Sequence, residues 1–75
     1  MISKNLKALR ELKGINQTKT AKHLGISLHS YCNKENGKSD FSLDEAKKLS
    51  ELFGLTVDEI FFKPLDFKMN TGTSI

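Results

Sequence analysis

The chain has 75 residues, a net charge of +3 and a single cysteine. That length allows one small domain with a modest core. It holds no apolar run near the roughly 18 residues of a spanning helix, no signal-peptide stretch at its start and no cysteine pair for an internal disulfide, which suits a reducing cytoplasm.

The charge is unevenly placed. Residues 1–38 carry eight Lys or Arg against two acids, whereas residues 39–75 carry four Lys against seven acids. A basic N-terminal half points to a polyanion partner, although a solvated basic face has the same composition.

Five helices are expected from their ends. The first spans about 4–13, with Ser3 as its N-cap and Leu6, Leu9 and Leu12 on one face. The second spans about 17–24 behind Asn16, and the third about 28–36 behind Ser27. The fourth spans about 43–53, where Leu43, Ala46, Leu49, Leu52 and Phe53 form a helical stripe. A short fifth helix carries Ile60 and Phe61. Ser42 with Glu45 and Thr56 with Glu59 have capping-box spacing, in which each side chain accepts or donates at the other's backbone. Those acids therefore read as caps rather than as a catalytic pair. Four glycines stand where helices should stop, and Gly25 sits at the sharp turn between the second and third helices, where φ > 0 is expected.

Pro64 ends the helical body. Leu65, Phe67 and Met69 then alternate with Asp66 and Lys68, the period of a short strand, followed by a disordered end. Residues 1–62 are thus expected to form one all-α, compact five-helix bundle, and residues 63–75 a tail with a dimerisation strand.

No catalytic constellation is present. The sequence has no phosphate loop, nucleophile elbow or paired catalytic acids. His23, His29 and Cys32 do not have zinc-site spacing, so no metal, cofactor or small-molecule ligand is expected, and no enzyme activity.

The pair of helices around Gly25 carries the strongest motif. Leu9-Arg10, Asn16-Gln17, Ala21, Leu24-Gly25-Ile26-Ser27 and Glu35-Asn36-Gly37-Lys38 occur in order, followed by Leu52-Phe53-Gly54-Leu55 and Val57-Asp58-Glu59-Ile60-Phe61. This pattern resembles the lambdoid phage repressors and Cro proteins, the Xre-type helix-turn-helix regulators. The resemblance implies a lambda repressor-like DNA-binding domain whose third helix enters the major groove. Thr20, Tyr31 and Lys34 depart from the family's apolar positions, so Tyr31 needs a partner for its hydroxyl and Lys34 must extend from the core edge.

On that reading Leu28, His29 and Asn33 read bases, with Ser27, Ser30 and Cys32 nearby. Asn33 is suited to adenine and Leu28 to a thymine methyl. Arg10, Asn16, Gln17 and Lys38 are expected at phosphates. The resemblance also implies a structural ion pair between Arg10 and Glu35, and a homodimer whose surface holds Phe61, Phe62, Leu65 and Phe67. The expected protein is a cytoplasmic repressor of a phage or prophage switch, bound to double-stranded DNA. Two alternatives remain open. One is a protein-interaction module, an antirepressor or antitoxin that binds a second regulator. The other is a restriction–modification controller.

Overall fold

The computed structural model describes residues 1–63. The expected tail strand, with Leu65 and Phe67, lies outside them. Five helices follow in order: α1 Leu6–Lys13, α2 Gln17–Leu24, α3 Leu28–Glu35, α4 Leu43–Phe53 and α5 Val57–Phe61. The described residues contain no strand, so the body is all-α. None of the helices described is long and apolar enough to cross a membrane.

Capping sets most of the boundaries. Asn16 Oδ1 accepts the Lys19 N–H at 2.7 Å and Ser27 Oγ accepts the Ser30 N–H at 3.1 Å. Both expected capping boxes are closed in each direction, at Ser42 with Glu45 and at Thr56 with Glu59. Each cap satisfies a backbone donor that the helix itself leaves unpaired.

Ser3 is the exception. The N-cap of α1 is Asn5, which makes no side-chain capping bond. Ser3 is buried instead; its Oγ donates to the Ile60 carbonyl at 2.7 Å and accepts the Asn5 N–H at 3.2 Å. It therefore ties the N-terminal segment to α5, and α1 starts two residues later than expected.

Two leucines face out against expectation. Leu6, Leu9 and Arg10 are the buried positions of α1, while Leu12 is 61% exposed. At 3.6 residues per turn, Leu12 falls roughly 100° from the centre of that stripe. Leu43 is 60% exposed for a related reason: it starts α4 about 90° away from the line through Ala46, Leu49 and Phe53.

The core gathers Leu6, Leu9, Ala21, Leu24, Tyr31, Ala46, Leu49, Phe53 and Ile60, with Phe41 and Phe61 completing it. Phe41 is a core residue that helical periodicity does not reveal, because it lies in the loop before α4. Its ring meets Tyr31 at a centroid distance of 6.1 Å and Phe61, edge-on, at 5.7 Å. Its position just before the Ser42 cap, opposite Ala46 in the first turn, is that of a hydrophobic staple. The Phe41 N–H also donates to the Met1 carbonyl at 2.7 Å, which pins the start of the chain over the α3–α4 loop.

Phe61 is thus corrected from the expected dimer surface to the core, at 8% exposure, where the aromatic cluster needs it. Thr20 is wholly buried without loss, because its hydroxyl donates to the Asn16 carbonyl at 2.9 Å.

Candidate nucleic-acid interface

The turn between α2 and α3 is short because Gly25 takes φ +75°, a conformation that strains residues carrying a Cβ. The Ile26 N–H then reaches back to the Ala21 carbonyl at 3.1 Å. Ala21 is 3% exposed, and its small side chain suits the close packing of α2 and α3.

A single carboxylate organises the inner face of α3. The Glu35 side chain is only 3% exposed. It accepts Arg10 Nε at 2.6 Å, Arg10 Nη2 at 3.1 Å, Gln17 Nε2 at 2.9 Å and the Tyr31 hydroxyl at 2.6 Å. Burial pushes the Glu35 carboxyl up, but the hydrogen bonds from Arg10, Tyr31 and Gln17 outweigh it and hold the group below the usual carboxylate range. The Tyr31 phenol is pushed up, first by burial and then by the carboxylate it donates to, so it stays protonated. The hydrogen bond to Glu35 likewise raises Arg10.

This network corrects the phosphate assignment of Arg10 and also engages Gln17. Arg10 is 7% exposed and spends its guanidinium on Glu35 and on the Ile15 carbonyl, at 3.0 Å. Gln17 turns its amide inward to Glu35 and accepts from Cys32 Sγ at 3.5 Å. Both side chains brace α1 and α2 against α3, Arg10 buried and Gln17 half-buried. Burial of a carboxylate demands paired donors, and these are the donors within reach.

The far end of α3 is held separately. Lys34 Nζ lies 2.7 Å and 3.0 Å from the two carboxylate oxygens of Glu45 in the first turn of α4. Burial raises the Glu45 carboxyl, but Lys34 and the Ser42 capping contacts bring it below its ordinary value. No local sequence signal links Lys34 to Glu45, because the pair closes only when α3 and α4 pack.

The outer face of α3 carries the remaining candidates. Leu28 is 45% exposed, and His29 and Ser27 are also exposed. Asn33 is half-buried, with Nδ2 3.4 Å from His29 Nε2, so these two share one face at one-turn spacing. Ser30 is half-buried, and Cys32 lies at the seam with α2. Asn16 is exposed at the N-terminus of α2, and Lys38 is exposed just past α3. No group of residues suited to a metal ion occurs among the described residues.

Two short helices joined by a left-handed glycine turn, the second locked on one side and open on the other, define a helix-turn-helix domain. A family model for the helix-turn-helix domain matches residues 3–64, and the chain belongs to that family. It is 39% identical over 56 residues to an uncharacterised HTH-type transcriptional regulator of Methanocaldococcus jannaschii, covering 75% of this chain and 85% of that one. It is 46% identical over 63 residues to a Pyrococcus horikoshii protein named as an HTH-type transcriptional regulatory protein. That match covers 84% of this chain, which spans only 19% of the Pyrococcus protein's length. The crystal structure of a transcriptional regulator from Listeria innocua has the same fold, with a TM-score of 0.71 over 99% of this chain and 74% of that one, at 15% identity.

Proposed function

We propose that this chain is a sequence-specific DNA-binding transcriptional regulator of the Cro-like kind. It acts in the cytoplasm as a phage or prophage repressor and binds a palindromic operator as a homodimer. Residues 1–62 are the DNA-binding unit in this reading. The observation that carries it is the two-sided build of α3. Tyr31 and Glu35 lock one side to the body, while Leu28, His29 and Asn33 stay on the open side. A helix held in this way can present a fixed set of groups to the major groove, where each base pair displays its own donor and acceptor pattern.

Ser27, Ser30 and Cys32 flank the reading residues, and Asn16 and Lys38 take phosphates on either side. Arg10 and Gln17 act through Glu35 by positioning α3. The dimer face is the end of α5, where Phe62 is 66% exposed. A second copy covers that apolar surface; Leu65 and Phe67, assigned to the same face, lie outside the described residues.

Selection of bound duplex from a random pool, followed by fluorescence anisotropy on the enriched sequence at two salt concentrations, tests this reading. The expected result is an enriched palindrome whose binding survives moderate salt. No enrichment, with binding that vanishes on adding salt, leaves only the non-specific phosphate contribution and rejects the reading. The exposed Leu28 and Phe62 then favour the second reading, a module that binds another regulator protein.

A further inference from the structure

A shallow groove runs between the N-terminal segment and the end of α3, with Ile2, Ser3, Lys4 and Lys7 on one wall and Asn36 and Gly37, just past α3, on the other. Glu35 also borders it, but its carboxylate is consumed by Arg10, Gln17 and Tyr31 and does not repel an anion there. Gly37 takes φ +81° on the far wall, across from Ile2. Lys4 and Lys7 are exposed, and neither forms an ion pair among the described residues. By contrast, Lys34, Lys48 and Lys63 each lie within 4 Å of a carboxylate.

We propose that this groove is a phosphate-binding cleft, in which Lys4 and Lys7 hold the DNA backbone that borders the major groove at the C-terminal end of α3. The proposal rests on the DNA-binding reading and assigns two contacts outside the residues already named.

Position supports it. Eight residues make α3 about 12 Å long, close to the ~12 Å width of the major groove. With Ser27, Leu28 and His29 at base edges, the last turn of α3 stands about one groove width away. There the flanking strand passes the Lys4–Lys7 wall. Asn16 and the N-terminus of α2 meet the opposite wall. The domain then straddles the groove, with a backbone contact on each side of the reading helix. A lysine suits this role because its ammonium meets phosphate as a point charge on a flexible stem.

The test is a salt titration of duplex binding by anisotropy, on the enriched operator and on a scrambled duplex. It compares the wild type with Lys4→Gln/Lys7→Gln and with Lys47→Gln/Lys48→Gln, a control of equal charge change on α4. Circular dichroism checks that all three are folded. Loss of two phosphate contacts in each protomer should lower the slope of log K against log salt by about 2 per bound protomer, or about 4 for the dimer, on both duplexes. The wild type's advantage over the groove variant should therefore shrink on the order of a hundredfold for the dimer between 50 and 200 mM salt. The α4 control should keep the wild-type slope. A groove variant with the wild-type slope, or a control that loses as much, overturns the cleft while leaving the DNA-binding reading intact. A wild type that binds neither duplex overturns both.

Discussion

The Tyr31 hydroxyl stands 2.6 Å from Glu35 Oε2, the same oxygen that receives Arg10 Nε at 2.6 Å. One carboxylate oxygen thus joins α1 to α3, and the other takes Gln17 from α2. The inner face of α3 is fastened by charge-assisted hydrogen bonds rather than by apolar packing alone. Tyr31→Phe keeps the ring in the aromatic cluster and removes only the donor. It should cost about 1.5–3 kcal/mol in urea unfolding. Arg10→Met leaves Glu35 buried without its cation and should cost about 3–5 kcal/mol. Because the two share an oxygen, the double variant should lose less than the sum of the singles.

Acid should unfold the domain through the same group. The Glu35 carboxyl lies below its ordinary range in the fold, so the unfolded chain binds that proton more readily. The stabilisation is then fully present above the ordinary carboxylate value, near pH 4.3, and is lost as the pH falls through the depressed folded value. Thermal melts from pH 7 to pH 2 should show a steep fall at the acid end. Glu35→Gln should flatten that fall while lowering the melting temperature at pH 7.

On DNA, Asn33→Ala should cost roughly 1–3 kcal/mol per half-site and relax preference at one base pair of each, whereas Lys38→Ala should weaken all duplexes alike and reduce the salt slope by about 1 per protomer. Binding to a panel of single-substitution operators separates the two. Unchanged base preference in Asn33→Ala contradicts the assignment of the reading face.

Phe62→Asp should leave circular dichroism and melting nearly unchanged, since the ring is 66% exposed. Sedimentation should shift from dimer to monomer, and operator affinity should fall while the salt slope per protomer stays. A variant that remains dimeric places the interface elsewhere.

Leu9 and Leu12 look alike as heptad-scale neighbours but should respond differently. Leu9→Ala empties a buried site and should cost about 2–5 kcal/mol. Leu12→Ala, on the exposed side of α1, should stay within about 0.5 kcal/mol.

Much of the fold is written locally. Asn16, Ser27, Ser42 and Thr56 cap the helices expected of them, and Gly25 makes the expected left-handed turn. These features depend on a residue and its neighbours three or four positions away, so a linear reading reaches them. The open face of α3 was legible in part for the same reason, since helical spacing sets His29 and Asn33 apart from Tyr31 and Glu35; Leu28 shares the spacing of Tyr31 and Glu35 and is exposed where it begins the helix.

The sequence by itself determined five helices, their caps and the turn, because hydrogen bonds within one turn of chain decide them. Only the tertiary structure decided the destination of the long polar side chains. Arg10 and Gln17 carry the groups of phosphate ligands, yet Glu35 lies within their reach and its buried charge requires their donors. Ser3 likewise leaves its expected cap for the Ile60 carbonyl, 57 residues away, and Phe41 closes the core from a loop. In each case packing brings together groups that are distant in sequence, and the cost of burying an unpaired polar atom selects the partner.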